Sequence, residues 1–425
     1  MTRSLPGARG LAALFPSTPA RRPVLLMALG SFALGTDAFV ISGVLPSLGQ
    51  DLGVSVGTAG LLITVFAAVY AVAAPFVAVG ASRLDRRTIL LVALSGFVIA
   101  NVVAALAPNY SVLMAARVIA ALATALFMPA ASASAAAIVA PEERGRALTA
   151  VLGGITLASA LGVPAGTIIA SVANWRATFL FVALLSMVAL LGLARALPSV
   201  PSAGDASIAD RARATVIHGV PAILLVSMLT FCGMFALYAY LAWFSRAVGD
   251  LNDGAIAGVY LTYGVCGILS NLMTGLLIDR FPPERIALLS SGLLVIIMGL
   301  LTLLAFVGSK NAATVVTLFA LIVLWSLIGW TLNPALQKCL INAGGQQAQV
   351  VLSLSGSAVY AGQAVGSLAG GLALVHGAVS LMLTALGFQV LTVVIVTIWT
   401  TRRQSGITAL PVIEEPQKGT ESEVC

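Results

Sequence analysis

Two residues could do chemistry simply because of where they stand: Asp37 inside the apolar stretch 23–46, and Arg117 inside the apolar stretch 111–139. An ionised side chain in hydrocarbon costs several kcal/mol unless a cavity or an opposite charge receives it. At a rise of about 1.5 Å per residue, Asp37 lies about 13 Å from the end of its stretch near Pro46, and Arg117 about 9 Å from Ser111. The two share a depth, so they can meet or flank one cavity. Two roles are open to them. They could form a static ion pair that fixes two helices, or Asp37 could take up and release a proton while Arg117 tunes it or binds an anionic group.

The uncharged polar and aromatic residues of the apolar stretches are candidates to line such a cavity. Tyr238, Asn271, Trp330, Asn333 and Gln363 are the substrate-binding candidates, within a wider set of Tyr70, Asn101, Tyr240, Trp243, Tyr263, Trp325, Gln337 and Tyr360. An amide in hydrocarbon needs partners, and it offers both donors and acceptors to a planar heterocycle. His218 and His376 fall near the ends of apolar stretches, where a solvated interfacial role is expected. The segment 147–172 carries Gly153, Gly154, Gly162, Pro164 and Gly166. Small residues let helix backbones approach closely and proline kinks a helix, so this segment packs tightly and is also a candidate hinge.

The elements that must position these groups follow from composition. Of 425 residues, 60% are hydrophobic and only 9% charged, far below the quarter that soluble domains carry. Apolar runs of about 20 residues predict twelve membrane helices. Their limits are 23–46, 58–81, 88–107, 111–139, 147–172, 177–197, 217–244, 254–278, 286–307, 312–341, 351–375 and 378–400. With the N-terminus inside, 18 of the 22 Lys and Arg residues fall on the cytoplasmic side and only Arg176, Arg246 and Lys310 outside. Positive loops stay in the cytoplasm, so both termini are expected there.

The longest break, 198–216, is rich in Pro, Ser and charge, and it divides the chain into six spans plus six. This gives an N-terminal tail 1–22, a first half 23–197, a central loop 198–216, a second half 217–400 and a C-terminal tail 401–425. The halves repeat weakly: span 2 leads into Arg83, Arg86 and Arg87, and span 8 ends in Asp279-Arg280. Two six-span halves around a midplane cavity suit alternating-access transport. The predicted class is therefore an all-α polytopic membrane protein of twelve transmembrane helices in two pseudo-symmetric halves.

Other classes lack their residues. No GxxxxGK[ST] phosphate loop is present, and the four cysteines, at 232, 266, 339 and 425, show no CxxC or Cys/His spacing. No metal and no cofactor are expected beyond a proton as coupling ion. An enzyme would need a reactive cluster near one face, and the outer loops offer only Asp51, Asp250 and Asp253. The net charge of +7 is spread among apolar blocks without aromatic interleaving, so nucleic acid is not an expected partner. A lipid bilayer and a small-molecule substrate are, and a monomer is expected. Residues 1–22 have no apolar core of their own, so the first apolar run is expected to be retained as a span.

These residues resemble the major facilitator superfamily, and within it the twelve-span drug:proton antiporters, over residues 20–400. Arg117 in Leu113-Met114-Ala115-Ala116-Arg117-Val118-Ile119-Ala120-Ala121 looks like the family's span-4 motif, whose arginine is implicated in proton coupling. Gly162-Val163-Pro164-Ala165-Gly166, with Gly153 and Gly154 upstream, is similar to the antiporter motif of span 5. Thr36-Asp37 with Leu45-Pro46 resembles the span-1 motif, and Asn174-Trp175-Arg176-Ala177-Thr178-Phe179 the usual start of span 6. The loop with Arg83, Arg86 and Arg87 departs from the pattern, with Ser82 where aspartate is usual and Asp85 where glycine is usual.

The resemblance implies the major facilitator fold, a bacterial inner-membrane location and efflux of a drug or metabolite driven by protons through Asp37 and Arg117. It also implies gating roles for the span-5 glycines, for the loop arginines and for Asp279 and Arg280. Ala236-Leu237-Tyr238-Ala239-Tyr240-Leu241 and Trp330-Thr331-Leu332-Asn333-Pro334-Ala335 look most like purine exporters. Sugar or chloramphenicol efflux, or proton-symport import or uniport by the same fold, remain alternatives.

Overall fold

A computed structural model describes residues 18–81, 84–200 and 208–407. Twelve helices are long and apolar enough to cross a bilayer: α1 (Ala20–Asp51), α2 (Val56–Val77), α3 (Arg86–Ala105), α4 (Tyr110–Ala137), α5 (Pro141–Val172), α6 (Trp175–Ala196), α7 (Val220–Tyr238), α8 (Asp253–Ile278), α9 (Pro283–Val307), α10 (Ala312–Gln347), α11 (Val350–His376) and α12 (Ala378–Thr401). They are apolar on every side, unlike the one-sided helices of soluble proteins. Leu184, Leu276, Leu289 and Phe306, each more than half exposed, form part of the belt that meets lipid.

The helix starts are finished differently at the two faces. Asn109, Asn174, Asn252 and Asn311 precede α4, α6, α8 and α10, and each side-chain oxygen accepts the backbone N–H three residues on. That satisfies one of the four free amides of a helix start. At the other face α5, α7 and α9 carry Pro141, Pro221 and Pro283 at their first or second position, where a missing N–H costs nothing. Short connections make successive spans antiparallel, so α1 starts and α12 ends on one face, here the terminal face; the Asn-capped starts lie on the far face.

Packing repeats with a shift of six helices. In the first half α1 packs on α5 and α6, α3 on α4 and α6, and α2 on α4; in the second half α7 packs on α11 and α12, α9 on α10 and α12, and α8 on α10. The halves meet through α2 against α11 and α5 against α8, which are again equivalent pairs. The two pseudo-symmetric six-helix halves therefore share one internal architecture.

Several boundaries differ from the sequence expectation for physical reasons. Helix α5 starts at Pro141 rather than 147, because Pro at its first position and Glu142 and Glu143 in its first turn favour a helix start even though they are polar. Helix α7 ends at Tyr238 rather than 244: Tyr240 leaves helical geometry at φ −115°, ψ 16°, and a separate helix, Leu241–Gly249, follows. The apolar run continues unbroken through that bend, so hydropathy does not register it. A short helix, Ile208–Thr215, lies inside the central loop.

Candidate functional site

Asp37 and Arg117 meet. The Arg117 Nη1 donates to Asp37 Oδ2 at 2.5 Å, with both side chains at most 1% exposed. They are the only buried charges among the described residues. The pair is only partly satisfied: Asp37 Oδ1 and Arg117 Nε and Nη2 have no hydrogen-bond partner. Buried charges that serve only packing are normally fully bonded, because each unpaired donor or acceptor keeps its desolvation cost. The remaining neighbour of the guanidinium is a ring: its carbon lies 4.3 Å from the centre of Phe66 on α2.

Among the described residues, neither member of the pair lines the central cavity. Asp37 is turned from α1 toward α4, whereas Phe39, two residues on and so on the other side of the helix, faces inward. The cavity itself has a volume of about 440 Å³ and brings together all five substrate candidates: Tyr238, Asn271, Trp330, Asn333 and Gln363. Its remaining wall includes Tyr263, Gln337 and Tyr360 from the wider set, and Thr149, Leu152, Gly153, Thr156 and Ser159 of α5. Among the described residues, no charged side chain lines it. Three polar atoms of its wall are buried without a partner: Asn333 Oδ1, the Tyr238 hydroxyl and Trp330 Nε1.

The sequence reading did not single out Phe39, Phe231, Met234 and Phe235, which also line the cavity. The available signal was the spacing of Phe231, Phe235 and Tyr238, which puts three aromatic rings on one face of α7. Of the wider set, Asn101 donates to the carbonyl of Phe97 within its own helix, and Trp325 is buried against Tyr263 with ring centres 4.7 Å apart.

Helix α5 carries its glycines into two contacts. A Cβ at Gly162 would collide with the Thr36 side chain, and one at Gly166 with Val40, so these positions set the approach of α5 to α1. Gly153, by contrast, faces open space at the cavity. Residues Ala158–Gly162 form a single wide π turn just before Pro164, and a Cβ at Gly264 of α8 would run into the backbone of Ala160 there. The irregular turn thus lies where the two halves cross. Local π turns before a proline relieve the clash between its ring and the preceding helical turn.

The loop arginines cap helix ends. Arg86 Nη1 donates to the carbonyl of Ala133 at 2.9 Å, and Arg87 Nη2 to that of Ala194 at 2.7 Å. Both carbonyls lie in the last turns of α4 and α6, where the helix dipole favours a cation. Asp85 accepts from Ser199 Oγ at 3.0 Å. Arg83 lies outside the described residues. Asp279 and Arg280 are exposed at the end of α8 and pair with no described residue.

The far face is shut. Tyr240 donates to the carbonyl of Ser367 at 2.8 Å and fills the space beside Gly60 and Gly371. Thr64 and Ser367 share a hydrogen bond at 2.9 Å, and Tyr110 donates to the carbonyl of Thr58 at 2.6 Å. Around this plug, Asp51 pairs with Arg176 at 2.5 Å, and Arg246 pairs with Asp253. The cavity lies toward the terminal face, where Thr149 stands two turns into α5.

Known proteins resemble this chain in sequence and in fold. The chain is 35% identical over 277 residues to a chloramphenicol resistance protein of Streptomyces lividans, covering 64% of this chain and 71% of that one. A chloramphenicol efflux pump of Mycobacterium tuberculosis is 30% identical over 365 residues, covering 85% and 87%. The inner membrane transport protein YdhP of Escherichia coli (strain K12) is 27% identical over 349 residues, covering 82% and 88%. Among solved structures, a D-xylose–proton symporter aligns at a TM-score of 0.74 and 16% identity, over 90% of this chain and 97% of its own, which speaks for the fold alone. The profile of the Major Facilitator Superfamily matches residues 27–367. The chain, a multi-pass membrane transporter, belongs to the Major Facilitator Superfamily.

Proposed function

We propose that this transporter exports a small neutral organic molecule bearing an aromatic ring, in exchange for protons entering the cell, with Asp37 as the proton carrier. The observation that carries the reading is the division of labour in the site. The partly satisfied charge pair sits dry in the first half, and beside it lies an uncharged cavity of rings and amides. Such a cavity favours flat, uncharged solutes with a few hydrogen-bonding groups. In the proposed cycle the cavity takes substrate from the cytoplasm as Asp37 gives up its proton. The halves then rock, the far face opens, and Asp37 is reprotonated outside. The inward proton gradient drives the cycle, so no nucleotide site or cofactor is required.

Both termini are cytoplasmic in this reading, in a bacterial inner membrane, with the protein working as a monomer. The relatives named for chloramphenicol favour a phenicol over a purine base or nucleoside as the substrate. Everted vesicles containing a pH-sensitive dye and challenged with phenicols, purines, nucleosides and pentoses provide the test. A phenicol should alkalinise the lumen in the parent and not in Asp37→Asn. Undiminished exchange in that variant would sink the proton role, and a response to pentoses alone would replace the substrate class.

A further inference from the structure

The charge pair and the cavity do not touch, so an exchanger built from them needs a physical link. One run of contacts joins them. Arg117 lies over Phe66 at 4.3 Å. Phe66 lies 6.5 Å from the ring of Tyr360, and Tyr70, one turn along α2, stacks on the same Tyr360 at 3.8 Å with an interplanar angle of 27°. Tyr360 belongs to α11 and forms part of the cavity wall. The run therefore crosses from the first half to the second and ends on the surface that a substrate would touch.

We infer that Phe66 and Tyr360 are the positioning residues that couple the charge state of Asp37 to the cavity. The inference rests on the proton role proposed for Asp37. While Asp37 is ionised, its carboxylate holds Arg117 and cancels most of its field. Once Asp37 is protonated, Arg117 is a bare cation in a dry site, and the face of Phe66 is the strongest attraction within reach. Phe66 is 2% exposed and close-packed, so it moves with its neighbours, and Tyr360 is the neighbour that lines the cavity. A substrate pressing on Tyr360 acts on the same stack from the other end, and linkage makes the two effects reciprocal. Asp37 and Arg117 are the only charged groups buried around this stack among the described residues, and the hydroxyls of Tyr70 and Tyr360 are its only other titratable groups.

The test reads the cavity without a transported solute. In a background lacking the four native cysteines, Thr149→Cys at the cavity rim is labelled with a maleimide in detergent between pH 5 and 9, after the rates are corrected with a free thiol. The parent rate is expected to change by about tenfold across the titration of Asp37, the size of one desolvated cation–π contact. Phe66→Leu keeps the bulk but removes the π face, and Tyr360→Leu breaks the stack from the other half. Each should cut the pH response to less than about twofold, while Phe66→Tyr and Tyr360→Phe keep it. A full pH response in both leucine variants overturns the link. A parent without pH response, or a response that persists in Asp37→Asn, likewise overturns the link, whereas undiminished exchange in vesicles by Asp37→Asn overturns instead the proton role on which the inference stands.

Discussion

The seam between α1 and α5 and its equivalent between α7 and α11 are built on one plan and finished in two ways. In the first, Gly154 and Gly162 lie against Ala28 and Thr36; in the second, Gly362, Gly366 and Gly370 lie against Met228, Cys232 and Ala236. Superposing the two rows places buried Leu237 where Asp37 stands. The second seam is continuous α-helix over Ala348–Ala373 and packs glycine against backbone carbonyls. The first is interrupted by the wide turn at Ala158–Gly162 and by Pro164, and Gly162 meets the buried Thr36 side chain rather than a carbonyl. Duplicated architecture thus holds one regular seam, and one that carries both the charge and the irregular turn. The buried charge pair and the irregular turn therefore lie in the same half.

The largest effect that could break this comparison is electrostatic. Arg117→Leu should lower stability by about 3–5 kcal/mol, read as a drop in melting temperature in detergent, because it strands a buried carboxylate. The double variant Asp37→Leu with Arg117→Leu should recover the parental melting temperature while losing proton-coupled exchange. If the double variant stays as unstable as the single, the pair is a structural fastener like the glycine rows of the other half.

Smaller effects should separate the seams themselves. Gly366→Ala pushes a Cβ into the backbone of Cys232 and is expected to cost about 1–3 kcal/mol. Gly162→Ala drives a Cβ into buried Thr36 and should cost a similar amount, about 1–3 kcal/mol, but slow transport more, because it also disturbs the wide turn; equal slowing by the two variants would remove the distinction. Pro164→Ala restores a backbone donor and should leave stability within about 1 kcal/mol of the parent while lowering the exchange rate in vesicles. Smallest is Tyr240→Phe, which removes the hydrogen bond to Ser367 that helps to shut the far face. A loss of about 1 kcal/mol there should speed labelling of a cysteine at Thr64 from the far side by a few-fold.

Much of this was legible in the sequence where the membrane imposes a simple rule. A bilayer admits only long apolar helices, so the count of twelve follows from hydropathy, and the shared depth of Asp37 and Arg117 allows their meeting. The amides Asn271, Asn333 and Gln363 stand out because hydrocarbon offers them no partner, and all three line the cavity. Phe66 carries no such mark: an aromatic residue in an apolar run reads the same whether it faces lipid, a neighbour or a cation. The bend at Tyr240 is hidden for a related reason, since it arises from a ring turning toward Gly60 and Gly371, which are distant in sequence. Arg86 and Arg87 illustrate the reverse. The resemblance implies a gating role for them, and their hydrogen bonds to the carbonyls of Ala133 and Ala194 at the ends of α4 and α6 come from tertiary structure that the sequence does not display.

The four asparagines that begin α4, α6, α8 and α10 have a consequence for how the protein sits in its membrane. An apolar run alone leaves a helix free to slide by a residue or two, and each residue of sliding turns every side chain by about 100°. A side-chain cap costs about 1 kcal/mol to abandon, so each of these helices starts at a fixed residue whatever the local lipid thickness. The protein carries its own ruler, marked on one leaflet only. A thinner or thicker bilayer must then be absorbed at the opposite leaflet, among the proline-led starts, and there the mouth of the cavity lies.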